Sequence, residues 1–218
     1  MSALQTSSNR PINSSVMILC EGADEERLFL MLRKERGLTE LDVEIVNAGG
    51  RENIQRKWSD VLVQSGGSGI RYVAVVLDSE DDPKATHQWG LDFSARNKGP
   101  LLDVDVFQIP ATEQAGSLET LIRQAIPPDS VGSQCATQWE LCAQANAATQ
   151  FATLARKDKA WLQVWLTHRT TSTASSVGYA IANDKSANKS LRQELNAALA
   201  PLQKILDSVL GHPCSRKS

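Results

Sequence analysis

Short runs of β-branched and apolar residues return at intervals through the first half of the chain, and amphipathic stretches of helical period separate them. The runs are Val16 to Cys20, Val43 to Val46, Tyr72 to Leu77 and Val104 to Ile109. Repeated strand and helix units of this kind build a parallel sheet flanked by helices. The sequence therefore predicts an α/β fold, Rossmann-like, with a parallel four-stranded sheet.

The intervening segments carry their own start and stop signals. Asp24 to Arg36 places Leu28, Phe29 and Leu32 at helical spacing and ends at Gly37. Ile54, Trp58, Val61 and Leu62 form one apolar face ahead of a glycine-rich turn, Gly66 to Gly69. A third helix is expected from Pro83, suited to a first helical turn, towards Asn97. A fourth runs from Ser117 to Ala125 and is stopped by Pro127 and Pro128. From Asp129 no strand-like run follows, and apolar residues keep helical spacing. The expected organisation is an α/β domain over residues 14–128 and an all-helical C-terminal region over residues 129–212 packed on it. In that region Trp161, Leu162, Trp165 and Leu166 form one stripe, and Leu191, Leu195, Leu199, Leu202, Leu206 and Val209 form another that Pro201 should kink or break. The Thr- and Ser-rich linker Thr170 to Ser176 is expected to be mobile.

Composition narrows the function. The 218 residues are 41% hydrophobic and 22% charged, with 23 basic against 25 acidic side chains. Wholesale disorder is excluded, and so is a strongly basic nucleic-acid coat; a polyanion would have to be met locally. The four cysteines match no zinc spacing and read as reduced thiols. Met1 to Ser15 has no apolar signal core, and no stretch reaches the roughly 18 apolar residues of a membrane span, so a cytoplasmic protein without membrane contact is expected.

Acidic residues gather at the carboxyl ends of two strands. Glu21 follows the first run, and Asp78, Glu80, Asp81 and Asp82 follow the third. In an open parallel sheet ligands sit outside these ends where the winding direction reverses, so the two groups converge if their strands are neighbours. Gathered carboxylates repel, and a divalent cation is the usual reason to keep them together. Oxygen ligands without Cys or His favour Mg²⁺ or Mn²⁺. Glu119, after the fourth strand, would enter the same face. The competing reading is that acids in first helical turns only complement the helix dipole. Gly49, Gly50 and Arg51, at a strand-to-helix turn, could offer N–H groups and a guanidinium to a phosphate, or serve only as a tight turn. Two basic clusters, Arg51 with Arg56 and Lys57, and Arg156 with Lys157 and Lys159, could line a substrate path or form solvated faces. The scattered histidines suggest no catalytic role, and the five tryptophans fit core stripes.

Val16 to Gly22, followed by Val73 to Leu77 and Asp78-Ser79-Glu80, resembles the Toprim fold, with its Glu-Gly after the first strand and Asp-x-Asp after a later one. Together with Glu21 to Glu26, Ala48 to Ile54, Asp78 to Pro83 and Gly116 to Glu119, it is similar to a branch of small prokaryotic Toprim proteins. That branch shares acidic motifs with the nuclease domains of overcoming-lysogenization-defect (OLD) proteins and with ribosomal-RNA maturases. The resemblance covers about Val16 to Ile126, with a weaker echo at Asp158 to Trp161.

The resemblance implies that Glu21 is the acid/base or metal-ligand glutamate and Asp78 the first metal aspartate. Glu80 stands where the second Asp is usual, and it ligates through a shifted carboxylate or passes that role to Asp82. Glu25 stands where Asp is frequent, with Asp24 beside it as an alternative. Glu119 matches a later glutamate, and Lys159 the late lysine that stabilises transition-state charge; the competing reading of Lys159 is a solvated lysine at a helix start, beside Asp158 as N-cap. The implied chemistry is metal-assisted phosphoryl transfer on DNA or RNA. One ion near Glu21, Asp78 and Glu80 would polarise the phosphate, and a second near Glu25, Asp82 and Glu119 would activate water. A partner ATPase of AAA or ABC type is a further implication. The alternative is a non-catalytic Toprim module that binds a protein partner or a nucleotide.

Overall fold

The structure, a computed structural model, describes residues 14–64, 69–146, 153–167, 176–182 and 191–213. Four strands, β1 (Val16–Cys20), β2 (Glu44–Asn47), β3 (Tyr72–Asp78) and β4 (Asp103–Ile109), form one sheet in the order β2-β1-β3-β4. All pairings are parallel, with Cys20 opposite Asn47 on one side and Val76 on the other. Helices α1 (Ala23–Glu35), α2 (Arg51–Gln64) and α3 (Pro83–Asn97) make the crossovers. After β4 come α4 (Leu118–Ala125), α5 (Val131–Asn146), α6 (Leu154–Thr167), the short α7 (Val177–Ala182) and α8 (Asn196–Gly211). The protein is thus α/β, with a parallel sheet flanked by helices and a helical C-terminal region.

Strand periodicity divides the core into two layers. Met17 and Leu19 of β1 and Val73, Val75 and Leu77 of β3 face Ile54 and Trp58 of α2 and Phe93 of α3. Val16, Ile18 and Cys20, with Tyr72, Ala74 and Val76, face the other way onto α1, α4 and the C-terminal helices. The C-terminal region therefore shares a core with the sheet. Its anchors are Trp161, Trp165, Leu202 and Leu206, all buried. With both faces covered, β1 and most of β3 are apolar at every position, as buried parallel strands require.

Three sequence expectations meet a different outcome. Pro201 does not break its helix: α8 runs from Asn196 to Gly211 with Pro201 inside. Burial of Ala198, Leu199, Leu202, Ile205, Leu206 and Val209 on one face offsets the lost hydrogen bond. Trp139 is not a core residue; it is 39% exposed on α5. Asp158, expected at the start of a helix, lies inside α6 and is buried. The glycine-rich turn at Gly66 to Gly69 falls mostly outside the described residues, as does the linker from Thr170, of which Ser176 is described.

The close fit of α7 on α1 depends on one glycine. A Cβ at Gly178 would lie 2.7 Å from the Cα and carbonyl oxygen of Asp24. Backbone cannot yield as a side-chain tip can, so Gly178→Ala is expected to cost about 1–3 kcal/mol, lowering Tm by about 2–4 °C per kcal/mol in a chain of this size. Thermal melts check this, and an unchanged Tm would contradict the packing.

Candidate functional site

β1 and β3 are neighbours and the chain winds outward from them in opposite directions, so the crevice at their carboxyl ends is the switch point of the sheet. A cavity of about 620 Å³ opens there. Glu21, Glu25, Asp78, Glu80 and Glu119 all line it, with Asp24 beside them. Arg27, Arg156 and Lys159 bring positive charge to the same walls.

Each acid is positioned by backbone or side-chain donors. Glu21 continues β1, its N–H donating to the Val76 carbonyl at 3.0 Å. Its Oε2 accepts from the Asp78 N–H at 3.2 Å and lies 3.5 Å from Arg51 Nε. Asp78 ends β3, and its Oδ1 accepts from the Leu118 N–H at the start of α4 at 3.0 Å. Glu119 Oε2 accepts from the Ser117 hydroxyl at 2.9 Å, while Lys159 Nζ is 3.7 Å from Oε1. Glu80 has φ +55°, a left-handed conformation that is costly without glycine. It is held by two backbone hydrogen bonds of 2.7 Å with Gly116, which clamp the loop after β3 to the loop before α4.

Gly22 makes room for Glu25. Its φ of −122° suits any residue, but a Cβ there would lie 2.5 Å from Glu25 Oε2. The glycine of the Glu-Gly pair is thus required by the folded-back carboxylate of α1 rather than by a special turn.

Crowding shows in the acidities. Burial, followed by the charges of Glu25, Glu21 and Glu119, pushes the Asp78 carboxyl well up, against the pull of the Leu118 N–H. Burial first, then Glu119, Asp24 and Glu21, raises Glu25 from 4.5 to about 7. Glu21 is also raised, chiefly by burial, with Arg51 opposing. Cys20, beneath the site, has its thiol pushed well up by burial and by Glu25 and Glu26, consistent with an inert thiol.

Several expected site residues serve elsewhere. Asp82 does not line the cavity; its Oδ1 caps α3 by accepting from the Ala85 N–H at 2.9 Å. The donors of the Gly49-Gly50-Arg51 turn are used internally. The Gly49 N–H donates to Asn47 Oδ1 at 2.7 Å and the Gly50 N–H to the Glu21 carbonyl at 2.9 Å, so both N–H groups have internal acceptors, although Gly50 itself lines the cavity. Arg51 donates to the Asp78 carbonyl and, at 2.9 Å, to Thr86 Oγ1, and braces the ends of β1 and β3 against α3. Arg56 and Lys57 stand away from the cavity. Arg27 and Ser117 escaped sequence reasoning, although Arg27 lies one helical turn from Asp24, which it pairs with at 2.9 Å. Tyr72, at the opposite end of the sheet, donates to Asp105 at 2.9 Å. Burial and Asp105 raise its pKa.

The donor set suits a hard divalent cation, since only oxygens are offered and their mutual repulsion is what a cation would relieve. Among the described residues, no three acidic, histidine or cysteine side chains are grouped closely enough to hold one ion as they stand. One oxygen of Asp78 and one of Glu21 already accept backbone N–H groups.

The fold and this acidic crevice define the class: a parallel α/β protein with clustered carboxylates at its switch point. The chain belongs to the family DUF3226, described as a protein of unknown function, whose family model matches residues 15–207. No curated protein and no solved structure matches the chain. No helix among the described residues is long and apolar enough to cross a membrane.

Two outcomes test the site. An acid with a raised native pKa holds its proton more tightly folded than unfolded, so stability falls as pH rises between the two values. Without divalent metal, stability should therefore decline from about pH 4.5 towards pH 7, the interval of Glu25. Excess Mn²⁺ should remove the decline; a flat metal-free profile would contradict the crowding, and a decline that Mn²⁺ leaves unchanged would contradict metal binding there. Gly22→Ala should displace only the tip of Glu25, leaving Tm near wild type while weakening the Mn²⁺-induced rise in Tm; an undiminished rise would contradict that placement.

Proposed function

We propose that this protein is a Mg²⁺- or Mn²⁺-dependent phosphodiester hydrolase of the Toprim type, acting on DNA or RNA. The observation that carries the reading is the arrangement of Glu21, Glu25, Asp78, Glu80 and Glu119 around one cavity at the β1/β3 switch point, with cationic side chains on its walls. The order of these acids along the chain resembles that of the Toprim motifs, and the cavity lies at the switch point where an open parallel sheet binds its ligands.

Asp78, Glu80, Glu25 and Glu119 would hold the metal. When bound, it supplies charge neutralisation at the phosphate and a more acidic water. Glu21 has Oε2 fixed by the Asp78 N–H and Arg51, which leaves Oε1 to accept the proton of the attacking water. Lys159, exposed and close to Glu119, swings to the negative charge that develops on the phosphate. Ser117 orients Glu119 and keeps its second oxygen directed to the cavity. A partner ATPase of AAA or ABC type would control access of the strand.

Labelled DNA and RNA incubated with and without Mg²⁺ or Mn²⁺ test this reading. Glu21→Gln and Asp78→Asn should each lower cleavage by at least about 100-fold. Cleavage that persists in both would overturn the site. Absence of cleavage in the wild type, with no metal-dependent rise in Tm, would favour a non-catalytic module that binds a partner or nucleotide.

A further inference from the structure

Four consecutive charged residues of α6, Arg156-Lys157-Asp158-Lys159, are sorted by helical geometry into two sets. Asp158 is buried and accepts from Thr120 Oγ1 at 2.6 Å and from Arg123 Nη1 at 2.8 Å. Lys157 Nζ lies 3.2 Å from Glu140 Oε1 on α5. These two pin α6 to α4 and α5. Arg156 and Lys159, both exposed, share the opposite side and line the acidic cavity. Residues three apart on a helix are neighbours, about 5–6 Å between Cβ atoms. Lys159 is near Glu119, whereas Arg156 has no ion-pair partner among the described residues. The first N–H groups of α6 are engaged, Leu154 with Asp81 Oδ1 at 3.0 Å and Arg156 with Thr153 Oγ1 at 3.2 Å, so what Arg156 adds to the cavity is its guanidinium.

We propose that Arg156 binds a phosphate of the substrate strand next to the one that is cleaved. This rests on the hydrolase reading above and adds to it a second contact with the strand, outside the scissile phosphate. The cavity, at about 620 Å³, is in the range that holds a ligand well beyond one phosphate group. A guanidinium matches two phosphate oxygens at once. One turn from Lys159, it meets the neighbouring phosphate while Lys159 serves the reacting one. The buried Asp158 fixes this cationic face relative to Glu119, because Thr120, its partner, adjoins Glu119 on α4.

The test combines kinetics on two substrates with metal-free binding. With a single-stranded oligonucleotide, Arg156→Ala should raise KM by about tenfold with kcat unchanged, because a contact to a non-reacting phosphate is equal in ground and transition states. With bis(4-nitrophenyl) phosphate, which has only one phosphate, the variant should match the wild type. Oligonucleotide binding in EDTA, followed by fluorescence anisotropy, should lose about 0.7 from the slope of log affinity against log salt. Lys157→Gln should retain the wild-type slope. If Asp78→Asn abolishes cleavage but Arg156→Ala keeps the wild-type KM and slope, this inference falls and the hydrolase reading stands. If the wild type cleaves neither substrate, the hydrolase reading falls. The slope then decides alone: an unchanged one overturns the role of Arg156, and a shallower one retains it as a strand-binding residue.

Discussion

Carboxylates removed from water repel one another more strongly than in solution, and they stay ionised together only where donors or cations compensate. This repulsion is concentrated at the ends of β1 and β3. Burial first, and then the charges of Glu21 and Glu119, make both Asp78 and Glu25 resist deprotonation. The Asp78 and Leu118 N–H groups and Arg51 satisfy one side of Glu21 and Asp78. What they leave uncompensated faces the cavity. A protein has little reason to sustain such a cluster for stability alone, since each raised acid destabilises the fold above its ordinary pKa. The cost fits a site that a cation completes.

The remainder of the architecture holds those carboxylates in place. The Glu80–Gly116 bridge joins the loops after β3 and β4. Asp81 ties the first of these loops to α6, and the Ser117 N–H donates to Thr120 Oγ1, which in turn donates to Asp158. Arg123 then links Asp158 and Glu140 at 2.8 Å each, with its guanidinium 4.7 Å from the Trp161 ring. Removing one partner from a buried network of this kind is typically costly, about 3–5 kcal/mol. The C-terminal helices therefore do more than cover a sheet face: they set the distance between the acidic floor and the cationic wall.

Much of the fold was legible because it depends on local pattern. Strands buried on both faces are apolar throughout, and Gly37, Pro83 and Pro127 mark helix limits that agree with the structure within a residue or two. The position of Glu21 and Asp78 at strand ends was legible for the same reason. The use to which each oxygen is put was not. Asp82 and Glu80 are two residues apart in one acidic turn, yet Asp82 turns back to cap α3 while Glu80, at positive φ, reaches the cavity. Arg51 reads as a phosphate ligand until its donors are found on Asp78 and Thr86. The sorting of Arg156 and Lys159 from Lys157 and Asp158 depends on partners in α4 and α5, which spacing along the chain does not reveal.

We propose the carboxylate cluster as a metal site. Anomalous diffraction from crystals soaked in Mn²⁺, recorded at neutral pH, tests it most directly. Manganese peaks are expected inside the β1/β3 crevice, within ligand distance of Asp78 and at least one of Glu21, Glu25, Glu80 and Glu119. Their loss in Asp78→Asn crystals should follow. A crevice without manganese, while the ion occupies other surface carboxylates, would contradict it.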